Sequence, residues 1–128
     1  AGRPVRRRLR RRLRRFRAWL DPARGGRPDL VHGLRIAAKK LRYHAEPLED
    51  ALPDTAALVK ALAPLQEELG ALHDLDARLR WLTERIALAA QHHLPALAQL
   101  LRRLLDQRKA RWQRLSRTLS QDPDDLLA

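Results

Sequence analysis

The chain has 128 residues and carries 27 Lys and Arg against 15 Asp and Glu, a formal net charge of +12. Its length suits one domain with a single hydrophobic core, and the absence of cysteine excludes disulfides, thiolate nucleophiles and Cys-ligated zinc. Leu, Ala and Arg dominate and β-branched residues are scarce, so the composition favours helices over sheets. The positive charge predicts a polyanionic partner.

The first predicted helix spans residues 3–20 and carries almost all of the net charge. The first twenty residues contain ten Arg and no acid, whereas the two later parts of the chain, 21–53 and 54–128, carry one net positive charge each. We expect this helix to end before Asp21 and Pro22. Its apolar residues recur at helical spacing and form a narrow stripe of Val5, Leu9, Leu13, Phe16 and Leu20.

Three further helices follow in chain order. The second is predicted over residues 29–52, with Asp29 as its N-cap and a kink near Pro47. The third is predicted over 55–89 with Asp54 as its cap, and the fourth over 94–120. Each carries Leu at helical spacing. We expect Pro64 to weaken the third helix and Pro123 to follow the end of the fourth.

Four amphipathic helices with short joints predict one domain over residues 1–128, an all-α antiparallel four-helix bundle. No apolar run approaches the roughly 18 residues of a membrane span, so we expect none. The five His are scattered, and neither a Gly-rich phosphate loop nor a Ser-His-Asp set stands out. We therefore expect a non-catalytic protein without a metal or cofactor. Because the chain begins with Ala and not Met, we also expect it to be a piece of a longer protein.

One face of the second helix is rich in hydrogen-bond donors. Arg35, Lys39 and Arg42 lie one helical turn apart, so their positive charges repel one another. An anion with repeated charges would compensate several of them at once. The spacing alone is equally compatible with an ordinary solvated face. On a helical wheel of about 100° per residue, the residues that share an arc opposite the Leu and Ala face are His32, Arg35, Lys39, Arg42, Tyr43 and Glu46.

Two segments of the chain resemble the second half of a CHAD domain, the conserved histidine α-helical domain. They are HGLRIAAKKLRYHAE, which begins at His32, and LQEELGALHDLD, which begins at Leu65. The resemblance runs through essentially the whole chain and implies a bacterial, cytoplasmic module that binds inorganic polyphosphate and associates with polyphosphate granules. The polyphosphate-binding residues that it implies are His32, Arg35, Lys39, Lys40, Arg42 and Tyr43.

The resemblance also implies an incomplete binding site. CHAD domains usually contain two similar four-helix halves, each with a His-x-x-Arg motif, and this chain has no counterpart of the first half. Two copies could complete the two-lobed architecture by pairing their basic faces about a twofold axis. We therefore expect a homodimer.

Arg residues on the fourth and first helices are further binding candidates. Arg108 lies within the apolar stripe of the fourth helix, where an unpaired charge would be costly to bury. It is therefore either paired with Asp74 or Asp76, of which Asp74 matches the family motif, or open to the anion site. The first-helix candidates, spaced by four and three residues so that they could extend the second helix's row, are Arg7, Arg11 and Arg14.

Two other partner classes remain open on the residues alone. A basic helix also suits nucleic acid, although five aromatic side chains offer few platforms for base stacking. The stripe of the first helix could lie in a membrane interface, but it is better suited to closing a bundle. The favoured partner is inorganic polyphosphate, and nucleic acid is the alternative.

Overall fold

The computed structural model describes residues 2–119 and shows an all-α fold. Successive helices pack against one another through short connections, with 3-10 turns at Glu46–Leu48 and Gln91–His93, and the described residues contain no strand. The expected helical bundle is confirmed. The four helices are α1 (Gly2–Ala23), α2 (Pro28–Ala45), α3 (Pro53–Leu88) and α4 (Leu94–Leu119). Ser120 and the segment expected to end the fourth helix lie outside the described residues.

Two helices begin on a proline. We expected Asp29 and Asp54 to be N-caps, but α2 begins at Pro28 and α3 at Pro53, so each aspartate lies within the first turn. Proline suits this position because its missing N–H would have no partner inside the helix. The aspartates then place negative charge near the positive end of the helix dipole.

The end of α1 lies three residues later than expected. The helix continues through Asp21 and Pro22 to Ala23, whose side chain is fully buried, so packing of the last turn outweighs the effect of the proline. The chain turns at Gly26, which has a φ of 74° and donates its N–H to the carbonyl of Ala23 at 2.9 Å. A Cβ there would lie 2.8 Å from Nε1 of Trp112, so both conformation and space require glycine.

The other internal prolines act differently. We expected α2 to reach residue 52, but it ends at Ala45 and a 3-10 turn containing Pro47 follows. Proline lacks the N–H that the next helical hydrogen bond needs and its ring crowds the preceding turn. Pro64 lies inside α3 without ending it. Its neighbours Leu62 and Leu65 are buried, and their packing holds the helix through the exposed proline.

All four helices contribute to one hydrophobic core. The ring of Trp19 crosses Gly33, where an added Cβ would lie 2.4 Å from the ring, so α1 and α2 pack closely. This contact leaves the opposite side of α2 for other neighbours. The largest fully buried side chains of the core are Phe16, Leu34, Leu41, Leu62, Leu69, Leu72 and Leu119.

The C-terminal part of α3 and the N-terminal part of α4 form an arm beyond the core. α3 has 36 residues and α2 has 18, so at about 1.5 Å per residue α3 is twice as long as its neighbour. No described helix is both long enough and apolar enough to cross a membrane. The large apolar side chains exposed on this arm are Trp81, Leu88, Leu100 and Leu105.

Candidate anion-binding site

Helix α2 presents opposite faces to the core and to the candidate site. Val31, Leu34 and Leu41 are buried on one face. On the other face, His32 and Arg35 are half-buried. The candidate residues Lys39, Lys40 and Tyr43 are all exposed.

His32 and Arg35 line a groove of about 820 Å³ between α2, α3 and α4. α3 contributes His73 and Arg80, and α4 contributes Arg108. Apolar side chains, including those of Leu69, Leu79 and Leu105, also line the groove. The groove therefore joins cationic groups from three helices on a partly apolar surface.

Arg42 forms hydrogen bonds with two other side chains of the protein. Its Nε donates to Oε1 of Glu46 at 2.7 Å, and its Nη1 donates to Oε1 of Gln66 on α3 at 3.2 Å. The pair with Glu46 compensates the charge of Arg42, and the bond to Gln66 ties α2 to α3. Arg42 is not among the residues that line the groove, and part of its hydrogen-bonding capacity is already used.

The exposed candidates on α2 have few local constraints. The Nζ atom of Lys39 lies 5.7 Å from the centre of the Tyr43 ring, a weak cation–π contact one helical turn away. The carbonyl of Lys40 accepts a hydrogen bond from Nδ1 of His44 at 2.8 Å. Because the cationic heads of both lysines face solvent, they remain accessible to an anion.

Arg108 forms an internal ion pair. Its Nε donates to Oδ1 of Asp76 at 2.5 Å, and its Nη2 donates to the carbonyl of Gly26 at 2.6 Å. Both charged side chains are largely buried, whereas Asp74 is exposed. Asp76, and not the motif residue Asp74, is therefore the partner of Arg108. The arrangement ties α4 to α3 and to the turn between α1 and α2.

The first-helix candidates do not join the row on α2. Arg7, Arg11 and Arg14 line a shallow cleft of about 880 Å³ formed by α1 residues alone. Arg11 also borders a smaller cleft with His44 of α2. Nine residues separate Arg35 from His44, which places them on opposite sides of the helix. The structure thus separates a basic surface on α1 from the groove beside α2.

A family model described as CHAD domain matches residues 1–83. The chain belongs to the CHAD family. Comparisons of the chain with curated proteins and with solved structures found no match.

The CHAD match covers α1, α2 and most of α3. It includes both sequence segments that carried the resemblance, and ends at Thr83, before the last residues of α3. Arg108 and the whole of α4 lie beyond it. Because the match runs from residue 1 to residue 83, it contains every candidate on α1 and α2. The family is associated with polyphosphate binding.

His73 and Arg80 are groove residues that the candidate set from the sequence omitted. Both lie on α3 and face His32 and Arg35 across the groove. Leu69, His73 and Arg80 are separated by four and seven residues, which places them on one side of α3. The sequence shows this spacing. It does not show that α3 packs against α2, which is what places these residues in the groove.

Proposed function

We propose that this CHAD protein binds inorganic polyphosphate without turning it over, through the outer face of α2 and the adjoining groove. The association of the family with polyphosphate supports the ligand class. The placement of Arg35 at the groove and of Lys39, Lys40 and Tyr43 on the exposed surface supports the location. Polyphosphate suits this surface because its charge repeats along the chain, as do the cations along α2.

The observation that carries the proposal is the difference between compensated and uncompensated cations. Arg42 and Arg108 are bonded to Glu46 and Asp76. Within residues 2–119, no carboxylate forms an ion pair with Arg35 or Lys39. These two cations lie one helical turn apart, so an extended anion could contact both.

Each side chain would contribute a different kind of contact. Arg35 offers a planar set of donors that fits two phosphate oxygens, whereas Lys39 supplies a compact charge. Tyr43 adds a neutral hydroxyl donor. His32 adds a donor whose charge depends on pH. The outward Arg of α1 would raise the local concentration of the anion without fixing its position.

The test is a titration with polyphosphates of defined chain length. We expect the double variant Arg35→Gln, Lys39→Gln to lose at least about two orders of magnitude in affinity, since each hydrogen bond to a charged group contributes about 1.5–3 kcal/mol. The matched control is Lys60→Gln, Arg102→Gln, which removes two exposed charges outside the groove. Equal losses in the two variants would contradict the proposal.

Nucleic acid is the competing outcome. Polyphosphate should displace duplex DNA at equal phosphate concentration, and its affinity should fall steeply with added salt. A protein that binds DNA and polyphosphate equally would be a general binder of phosphate chains, which would overturn polyphosphate selectivity.

The proposal extends to assembly and location. A second copy could pair its basic face with this one, and the exposed apolar side chains of the α3–α4 arm offer surface that this copy could bury. We expect light scattering to report a dimer at the concentrations at which polyphosphate binds. A monomer that binds with full affinity would contradict the dimer.

We also expect a fluorescent fusion of the protein to collect at polyphosphate granules. A fusion that stays dispersed in polyphosphate-rich cells would contradict granule association.

A further inference from the structure

Two histidine rings stack inside the groove. The ring centres of His32 on α2 and His73 on α3 lie 5.0 Å apart, with an angle of 22° between the planes. Both residues line the groove. Two positively charged rings at this separation would repel each other, and an anion beside them would offset that repulsion.

One nitrogen of this pair has no partner. Nδ1 of His32 is buried and makes no hydrogen bond with the described residues. A buried polar atom without a hydrogen-bond partner is uncommon in folded proteins. Nε2 is the nitrogen of His32 left for a ligand.

The remaining charges of the groove balance. Three arginines and three carboxylates line it, so their formal charges cancel. No residue of α1 is among the lining groups. Each proton on the two histidines therefore adds one positive charge to the groove. The six groups are Asp29 and Arg35 of α2, Asp76, Arg80 and Glu84 of α3, and Arg108 of α4.

The ion pairs leave two of these cations for a ligand. Asp76 is bonded to Arg108, and Asp29 accepts a hydrogen bond from Arg27 at 3.1 Å. No carboxylate among residues 2–119 forms an ion pair with Arg35 or Arg80. An anion in the groove would thus meet one arginine from α2 and one from α3, with the imidazole pair between these helices.

We propose that His73 and Arg80 join His32 and Arg35 in one phosphate-binding site, and that the stacked imidazole pair takes up protons when the anion binds. This inference rests on the proposed function, because the ligand is the same phosphate chain. A bound phosphate supplies negative charge that stabilises a protonated ring, and its oxygens can accept a hydrogen bond from Nε2 of His32. Because binding and proton uptake are linked, the affinity must rise as the pH falls.

The test measures sodium tripolyphosphate binding by calorimetry between about pH 8.5 and pH 6, the range that brackets ordinary histidine titration, at constant ionic strength. We expect the wild-type affinity to rise at least about tenfold over this range, with proton uptake visible in buffers of different ionisation enthalpy. His73→Asn should reduce the rise to about threefold, and Arg80→Gln should weaken binding at every pH. The matched control, His92→Asn, removes an exposed histidine outside the groove and should change neither quantity. Titration of the ligand itself is common to all variants, so differences between them report the protein.

His73→Arg provides a gain of function that a folding defect cannot imitate. Its permanent charge should make binding at about pH 8.5 roughly tenfold tighter than in the wild type and flatten the pH dependence. An identical pH dependence in the wild type and both His73 variants would overturn this inference while leaving the proposed function intact. Failure of the wild type to bind any polyphosphate at any pH would instead overturn the proposed function.

Discussion

The arginine-rich helix α1 and the groove beside α2 are both basic, but they differ in construction. α1 carries ten Arg in the first twenty residues of the chain with no acid among them, and most of these side chains are exposed. The groove contains three Arg, three carboxylates and a stacked His pair. One region is strongly charged and exposed, whereas the other has balanced formal charges and contains contacts between helices.

The comparison separates attraction from selection. A dense exposed charge acts over long range, is screened by salt and does not distinguish one polyanion from another. Donors held at fixed positions discriminate by geometry, because only a ligand with matching oxygens satisfies several of them. We therefore expect variants of α1 to change the association rate of anions, and variants of the groove to change the relative affinity for different anions.

The largest expected effect tests whether the groove is a fixed framework. Arg108→Met removes the partner of the largely buried Asp76 and should lower the free energy of unfolding by about 3 kcal/mol. Urea denaturation measures this change. The control is Arg111→Met, whose 3.8 Å contact with Glu68 is partly exposed and should contribute less than about 1 kcal/mol. Similar losses in both variants would indicate that the Arg108 pair does not organise the groove.

A smaller loss is expected at the turn that joins the two regions. Gly26→Ala forces a side chain into a left-handed conformation and against Trp112, which should cost about 1–2 kcal/mol. Gly25→Ala is the neighbouring control, since a Cβ at Gly25 meets nothing within 4 Å. Thermal unfolding of both variants checks the pair. Equal stability of the two would argue against the strained turn.

The basic surface of α1 should affect binding only modestly. Replacing Arg7, Arg11 and Arg14 by Gln removes three charges, one more than the α2 double variant. We expect the association rate to fall several-fold at low salt and the difference to vanish near 0.5 M salt, where charges are screened within a few ångströms. Stopped-flow measurements at both salt concentrations test this. A large loss that persists in high salt would place α1 within the site.

The smallest effect is expected at Arg42. Because Glu46 compensates its charge and two of its donors are bonded to Glu46 and Gln66, Arg42→Gln should lower polyphosphate affinity by only about twofold, within the range of a compensated surface charge. The same titration that measures the Arg35 variant measures this one. A tenfold loss would mean that the ligand displaces Glu46 from Arg42.

Helical spacing predicted the fold class and much of the core. Leu34, Leu41 and Leu62 lie in the buried cluster, as an apolar stripe predicts. The stripe did not predict where it would be covered. Leu105 continues the pattern of α4 but is half-exposed, because it borders the open groove and not the core. Periodicity identifies the apolar face of a helix, but the packing of its neighbours decides how much of that face is buried.

The candidate site was only partly predictable for a related reason. The donors of α2 fall on one face by spacing alone, which singled out Arg35 and Lys39. Whether Arg42 would be compensated depended on Gln66, which is 24 residues away, and the partner of Arg108 was 32 residues away. His73 became a candidate only when α3 placed its ring against His32. Local patterns predicted which groups face outward, whereas their pairing required the packing of helices.

Competition between long-chain polyphosphate and duplex DNA, at equal phosphate concentration, tests the central claim most directly. It should be measured in the wild type, in the α1 variant that lacks three Arg, and in the α2 variant that lacks Arg35 and Lys39. We predict that the preference for polyphosphate persists in the α1 variant and falls to near unity in the α2 variant. The opposite pattern, in which loss of α1 charge abolishes the preference and loss of Arg35 and Lys39 preserves it, would contradict the account.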